Sequence, residues 1–575
     1  MELSDQQQAI VDAPLVPLAV IACAGSGKTA TAIHRLAAMR RQLGESRGRV
    51  ALLSFSNVAV DTFRYGYQIL AQMLPDGAGR SKVDIDTLDG FITSQILRPH
   101  AYRTMGANQA AYLVTGSESF LAGFTCRTAN FPIPVTDVRV GFGEDGPFFY
   151  YDVFGRQTVL DQNAAAQLIN RLGRTGAYTH DLGRYWCYRT LRDQPLVLRA
   201  LARRYPHILI DESQDIGALH QSILELLIAA GMQVSLIGDP NQGIYEFAGA
   251  DGRFLSNYHE REGVAAFGLT RNYRSTPTIL ALANRLSGRD DFPDRPLEAG
   301  RNGAYFIGYT DAELPQLIDA FHAEVDHVGL SPINSAILCR ANALADQLAG
   351  VDDPPGRGLM KAFTEAALLR DKKADFLPAY KAVVRGVVGL LDDPPQGLLA
   401  KLSQPGHDLK LRKLKRMLWV FTRNTETGLP SSDLSASGHW HVLLLERIRA
   451  LLDQIQRDLE LAAIDNLGRK LTRTGLSEAP LNAGQDLAAE RGQRIRVVTV
   501  HQVKGESIDA VLYVATRQHV QAMLDGVDSE QGRIGYVAVT RARNLFWLGV
   551  PANMLRALRP LLLAAGLQEA GDAGR

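Results

Sequence analysis

Short, continuously apolar runs recur along the chain, each followed by a turn or by a segment with helical spacing. Residues 18–23 (LAVIAC), 49–55 (RVALLSF), 207–210 (HILI) and 234–238 (VSLIG) form a first set. Residues 495–500 (IRVVTV), 510–515 (AVLYVA) and 545–550 (LFWLGV) form a second. A strand that is apolar throughout, rather than alternating, is buried on both faces, and strands separated by helices pair in parallel. The two sets lie far apart, so the pattern predicts two α/β domains. The stretches between them read differently. Residues 91–190 mix helical segments with a hairpin signal at 138–155 (VRVGFGEDGPFFYYDVFG), and residues 345–490 are mostly helical, with DDPPG and DDPPQG as loop signals. Both stretches are expected to be insertions within the α/β domains.

A chain of 575 residues exceeds what one core supports and points to roughly three to five domains or subdomains. Its 46% hydrophobic and 21% charged residues are an ordinary globular balance. With a net charge of +1, any basic groove for nucleic acid must be local. The cysteines at 23, 126, 187 and 339 have no metal-ligand spacing, which speaks against zinc or iron–sulfur chemistry and suits a reducing compartment. The first residues lack a basic segment followed by an apolar core, and no 18-residue apolar run occurs. The expectation is a cytoplasmic protein with no membrane partner.

The most specific chemistry lies in Ala22-Cys23-Ala24-Gly25-Ser26-Gly27-Lys28-Thr29. It follows a strand and opens a helical pattern, the context a phosphate-binding loop requires. Small residues let backbone N–H groups face phosphates at a helix N-terminus. Lys28 would reach the β- and γ-phosphates of ATP, and the Thr29 hydroxyl would bind Mg²⁺. Asp211-Glu212-Ser213-Gln214-Asp215 follows the run HILI. Asp211 at a strand end can hold Mg²⁺ through its water shell, and Glu212 can orient and deprotonate an attacking water. The amide of Gln7, upstream, can both donate to and accept from an adenine edge.

These segments, in this order, resemble the UvrD/Rep/PcrA family of superfamily 1A DNA helicases. LSDQQQAIVDAP resembles its Q motif, ACAGSGKT motif I, LSFSNVAV motif Ia, DTLDGF the next DNA-contact motif, LIDESQD motif II and LIGDPNQGIYEFAGAD motif III. LTRNYRST is similar to motif IV, AILCRAN to the strand after it, VVTVHQVKGE to motif V and YVAVTRAR to motif VI. The resemblance implies two RecA-like P-loop domains, each with a mostly helical inserted subdomain. Their expected extents are 1–90 with 191–275 and its insertion 91–190, then 276–344 with 490–575 and its insertion 345–489. It also implies that ATP and Mg²⁺ bind between the α/β domains. By resemblance, Gln242 senses the γ-phosphate, Arg274 and Arg541 are arginine fingers acting on the transferred phosphoryl group, and Tyr273 stacks on adenine. Gln7, Ala24, Gly25, Ser26, Gly27, Lys28, Thr29, Ala30, Tyr273 and Gly505 are the expected nucleotide contacts. Phe55, Ser56, Asn57, Tyr245, Phe247 and His501 match DNA-contact positions, with aromatics stacking on bases and polar groups near phosphates or sugars. An aromatic near a strand end is equally a core residue, so Phe55 admits either reading.

The sequence departs from the family at several points. Ala30 stands where the family usually has Arg against adenine, and Phe247-Ala248 replaces a Trp-Arg pair. Asp89 occupies a position that carries His in the larger helicases, and Glu506 is shifted by one in motif V. The second insertion is short, and the chain ends soon after motif VI, leaving no room for a C-terminal nuclease. DTLDGFITSQILRPH resembles the same stretch of the helicase-like subunit of Gabija antiphage systems, which works beside an OLD-family nuclease. The expected function is therefore an ATP-dependent 3′–5′ translocase or helicase on single-stranded and junction DNA, in defence or repair with a partner nuclease. The alternative is a DNA-sensing ATPase subunit that activates such a nuclease without processive unwinding. The basic run Lys410, Arg412, Lys413, Lys415, Arg416, interleaved with Leu411, Leu414 and Leu418, fits either a DNA or partner contact or a solvated helix face.

Overall fold

The protein is described from a computed structural model. It covers residues 3–44, 46–72, 82–114, 118–128, 131–153, 156–246, 249–296, 302–341, 344–345, 348, 354–372, 375–395, 397–403, 408–481 and 495–570. The chain divides into two compact units. The first comprises Met1–Ala299, Gln518–Arg543 and Leu561–Leu567; the second comprises Gly300–Arg517, Asn544–Pro560 and Gln568–Arg575. Among the described residues, no helix is long and apolar enough to cross a membrane.

The first unit is built on a six-stranded parallel sheet in the order Ala265–Leu269, Leu18–Ala22, Gln233–Gly238, His207–Ile210, Val50–Ser54 and Val83–Thr87. The apolar runs form these strands because both faces of the sheet are covered. Leu18, Val20, Leu52, Leu209 and Ile237 face one core, shared with Leu36 and Phe63 of the flanking helices. Their strand neighbours Ala19, Ala51, Ile208, Ile210 and Leu236 face another. That second core runs on without a break into the inserted stretch, through Leu97, Met105, Leu172 and Trp186. The hairpin signal is realised as an antiparallel sheet of Arg139–Gly143, Gly146–Val153 and Arg156–Val159. Among the described residues the insertion is thus helical with three small sheets, this one and the two-stranded pairs Tyr112–Leu113 with Ala177–Tyr178 and Thr125–Cys126 with Ile133–Pro134, and it shares a core with its parent sheet.

The second unit holds another six-stranded sheet, in the order Arg496–Thr499, Ala336–Cys339, Ile508–Val514, Ala542–Pro551, Gly303–Tyr309 and Gln568–Glu569. The register between Gly303–Tyr309 and Ala542–Pro551 pairs Phe306 with Leu548 in parallel. The stretch after Cys339 is helical as expected, with Leu359–Lys372, Phe376–Val388, Leu409–Arg423 and His441–Leu459 as its main helices. Met360, Phe363, Val383, Leu418, Trp440 and Ile448 join Ile337, Leu512 and Phe321 in one core. Helix Leu409–Arg423 carries the basic run. Leu414 and Leu418 are buried beneath it, while Lys410 pairs with Glu460 at 2.9 Å and Lys413 with Asp458 at 3.1 Å.

In the first unit, the helix Lys28–Leu43 follows the strand Leu18–Ala22 directly and ends at Gly44. Its buried Arg35 donates to the carbonyl oxygens of Val11 at 3.2 Å, Ala13, and Pro14 at 2.6 Å. These bonds tie the end of helix Asp5–Asp12 to the phosphate-loop helix. A buried guanidinium costs much unless hydrogen-bonded, and carbonyls left without donors cost as well. Arg35→Ala should therefore destabilise the first unit by about 3 kcal/mol or more. The expected signature is a drop of several degrees in the first melting transition by calorimetry; an unchanged transition would mean these bonds are dispensable.

Candidate nucleotide site

The loop after Ala22 turns through two glycines in the left-handed region, Gly25 at φ 75° and Gly27 at φ 78°. Ser26 stabilises the turn by donating its hydroxyl to the Cys23 carbonyl at 2.8 Å. The helix then begins at Lys28, directly after Gly27, so the loop leads into a helix N-terminus with its unbonded N–H groups. Two neighbours crowd this loop. A Cβ on Gly27 would lie 2.5 Å from Gln7 Nε2, and one on Gly25 would lie 2.5 Å from Arg274 Cβ. Both glycines are demanded twice, by backbone conformation and by space.

Gln7 Nε2 donates to the Ser26 carbonyl at 3.1 Å, and its Oε1 accepts from Ser4 N at 3.0 Å in a capping box. Its amide is thus joined to the loop that would carry the phosphates. On the other side, Asn272 Nδ2 donates to Ala24 O at 2.7 Å and Tyr273 N to Gly25 O at 2.9 Å. Asn272 Oδ1 in turn accepts from Arg274 N and Ser275 N, each at 2.8 Å. Segment 272–275 therefore lies against the phosphate loop. Tyr273 is half-buried, with the Arg271 guanidinium 5.8 Å from its ring centre.

Two carboxylates close the site. Asp211 follows the buried strand His207–Ile210 and is itself buried. Burial first, and Glu212 beside it second, push its carboxyl up to about 7, while Lys28 pulls the other way. Its Oδ1 has no hydrogen-bond partner among the described residues. A buried anionic oxygen without a donor is costly and suits a cation. Glu212 sits at φ 52°, and its carboxylate accepts a hydrogen bond from Gln214 Nε2. Gln214 Oε1 accepts from Asp239 N at 3.1 Å, so one buried amide joins the two acidic strand ends.

Gln242 and Arg541 meet directly: Arg541 Nη2 donates to Gln242 Oε1 at 2.8 Å, and both side chains are buried. Arg274 Nη1 donates to Thr540 O at 3.0 Å. Burial, and then the charge of Arg541, push the Arg274 guanidinium down to about 9, with Glu212 opposing. The first unit therefore gathers Lys28, Asp211, Glu212, Gln242, Arg274 and Arg541 within itself. Gln214, Asp239 and Asn272 belong to the same arrangement, and the sequence reading passed over them. Asp239 carried the same signal as Asp211, a carboxylate at the end of an apolar strand.

The DNA-contact candidates divide. In the first unit, Phe55 is half-buried and edge-on to His220, with ring centres 5.8 Å apart. Ser56 and Asn57 are exposed, and the Ser56 hydroxyl accepts from Ala59 N at 3.1 Å. Tyr245 is half-buried; burial, then Asp215 and Glu212, push its phenol up to about 12. Asp89 accepts a bidentate bond from Arg184 at 2.7 and 2.8 Å and lies 2.9 Å from His220 Nε2. Burial opposes its charge, yet Arg184 and His220 hold its carboxyl well below the usual range. Phe247 and its neighbour Ala248 lie outside the described residues. His501 is half-buried in the second unit, where Gly505 is exposed at φ 88° and Arg496 engages Glu506.

Residues 3–129 and 156–262 match the model of the UvrD/REP helicase N-terminal domain. Over these residues the chain is similar to UvrD-like helicases. It is 25% identical to the ATP-dependent DNA helicase UvrD2 of Mycobacterium bovis, over 94% of this chain and 77% of that one. Against DNA helicase II of Escherichia coli the identity is 24%, over 94% and 83%. A short stretch is 39% identical to the ATP-dependent DNA helicase srs2 of Schizosaccharomyces pombe, covering 15% of this chain and 10% of that one. The gap in the family match, residues 130–155, holds two strands of the small antiparallel sheet, Arg139–Gly143 and Gly146–Val153, so this UvrD-like chain carries that hairpin in a stretch the family model passes over.

Because Gly25 needs positive φ and has no room beside Arg274, Gly25→Ala should displace either the loop or segment 272–275. The expected result is a loss of affinity for a fluorescent ATP analogue, with a stability cost of about 1–3 kcal/mol. Unaltered affinity would mean that the loop geometry described here is not the binding geometry.

Proposed function

We propose that this chain hydrolyses ATP to move 3′ to 5′ along single-stranded DNA and to open duplex or junction DNA. The observation that carries the reading is the hydrogen bond between Gln242 and Arg541, buried in the same unit as the phosphate loop, with Arg274 against Gly25. Sensing and charge-stabilising groups of this kind have little structural reason to share a buried site with a lysine and two carboxylates unless a polyphosphate joins them. The two parallel sheets support two RecA-like domains, with the helical stretches after Thr87 and after Cys339 as their insertions.

In this reading the loop N–H groups and Lys28 hold the phosphates, and Glu212 takes the proton of the attacking water. Arg274 and Arg541 place positive charge on the transferred phosphoryl group. Thr29 and Asp211 would hold Mg²⁺, Asp211 through bound water, and the donor-free Oδ1 of Asp211 fits that role. The ion would draw negative charge off the phosphates. Gln7 and Tyr273 would face the adenine; Phe55, Ser56, Asn57, Tyr245, Phe247 and His501 would contact DNA, and Gly505 the nucleotide.

A finer reading is that the chain serves antiphage defence beside an OLD-family nuclease. It rests on the stretch 86–100, and Asp89 within it is held by Arg184 and His220 instead of projecting alone. Co-purification with the product of a neighbouring nuclease gene tests this. A chain that unwinds long duplexes alone and binds no nuclease returns the stand-alone helicase.

Glu212→Gln should keep ATP binding and lower single-strand-stimulated hydrolysis by about 10²–10⁴-fold. Arg541→Ala should also leave ATP affinity nearly intact while turnover falls about 10³-fold or more. Near wild-type hydrolysis by Glu212→Gln would remove Glu212 from the base role, and a wild-type chain with no DNA-stimulated ATPase would end the helicase reading.

A further inference from the structure

The segment Gln518–Arg543 contributes more to the site than Arg541. Tyr536 lies five residues earlier on the same helix, Glu530–Arg541, and is 2% exposed. Its Oη donates to Asp239 Oδ2 at 3.2 Å. The same oxygen accepts from Gln242 Nε2 at 3.0 Å. Asp239 Oδ1 accepts from Asn241 N at 3.2 Å. Asp239 is fully buried, and the Arg289 guanidinium stands 4.0 Å away and is forked onto Asp291 at 2.8 and 3.0 Å.

An amide can be turned end for end with little change in shape. Here the turn is decided by what flanks it. A carboxylate only accepts, so Gln242 must present its NH₂ to Asp239. Its oxygen then faces Arg541, which only donates. Asp239 sets that polarity only while its Oδ2 stays in reach of Gln242 Nε2, and the Tyr536 hydroxyl is the second donor that holds Oδ2 there. The circuit is closed in space as well: the helix supplies both ends, Tyr536 and Arg541, and the loop 239–242 supplies the middle.

We infer that Tyr536 and Asp239 are positioning residues that fix the polarity of the Gln242 amide and thereby aim Arg541 at the site where phosphate would sit. This rests on the nucleotide-hydrolysing reading above. Neither residue needs to touch nucleotide. Each acts through Gln242, so the effect falls on turnover and not on binding. The Tyr536 ring also borders the small cavity behind the phosphate loop, with Cys23, Asn272 and Asp291 among its other walls. Removing the hydroxyl alone therefore leaves the ring packing in place.

The test is Tyr536→Phe, assayed as single-strand-stimulated ATP hydrolysis per ATP-binding site. A hydrogen bond to a carboxylate is worth about a tenfold change or more, so kcat should fall at least about tenfold. KM for ATP and the affinity for an ATP analogue should stay within about twofold. In an Arg541→Lys background, Tyr536→Phe should add little, because the aimed group has already been changed. Wild-type kcat in Tyr536→Phe, or a loss that simply multiplies with that of Arg541→Lys, would overturn the inference. So would a lowered melting temperature with an unchanged rate per site, the mark of a merely structural hydroxyl. Absence of stimulated hydrolysis in the wild-type chain would instead sink the underlying reading, so the two failures are told apart.

Discussion

Two guanidiniums held close together in a buried site are the constraint on which the first unit turns. Burial first, and the charge of Arg541 second, disfavour the charge on Arg274 and push it down to about 9, with Glu212 opposing. A pair of this kind is a poor stabiliser of a fold. Removing one member should relieve strain rather than create it, unless an anion belongs between them. Across the site the opposite imbalance holds. Asp211 is buried, with Glu212 beside it, and pushed up to about 7, with an oxygen that no donor meets among the described residues. Glu212 offsets part of the cost at Arg274 and Lys28 part of that at Asp211, yet both groups remain shifted against their charged forms. A polyphosphate would satisfy the arginines and Lys28, and a divalent cation would satisfy the carboxylates. The site is arranged for a ligand carrying both signs.

The local geometry follows from that requirement. Gly25 and Gly27 let the loop turn, but the lack of a side chain also lets Arg274 and Gln7 approach. Asn272 then fastens the segment bearing Arg274 to the loop through Ala24, and Gln214 fastens Glu212 to the start of the loop bearing Gln242. Neutral amides thus orient three of these positions: Asn272 the backbone of the segment bearing Arg274, Gln214 the Glu212 carboxylate and Gln242 the Arg541 guanidinium. An amide directs a charged group without adding a charge of its own.

Much of this was legible in the residues. The two sets of apolar runs became two parallel sheets, because strands buried on both faces must be apolar throughout. Lys28, Asp211 and Glu212 were legible because a phosphate loop and a strand-end acidic pair have short, position-specific signatures. Gln242, Arg274 and Arg541 came from resemblance alone, since a lone Gln or Arg has no local signature. Gln214, Asp239, Asn272 and Tyr536 were passed over for a different reason. Their importance lies in which partner they meet across long sequence separations, Asn272 with Ala24 and Tyr536 with Asp239, and no periodicity encodes that. Tyr536 was harder still: inside the apolar helix Glu530–Arg541 its ring reads as core, and only the hydroxyl sets it apart.

The insertions carry one more consequence. Each shares an uninterrupted hydrophobic core with the sheet that hosts it: Trp186 with Ile208 in the first unit, Trp440 with Ile337 in the second. Interiors are close-packed and transmit displacement rather than absorb it. Within the first unit, Ile210 belongs to that shared core and is bonded in sequence to Asp211, while Asp89, at the start of the insertion, is joined to His220 and through its ring to Phe55. A load on the insertion therefore has a continuous packed route to the strand end that bears the carboxylates, without any loop acting as a hinge between them. A flexibly tethered module would have had its own core and a polar seam. The shared core instead favours a unit in which insertion and nucleotide site respond together.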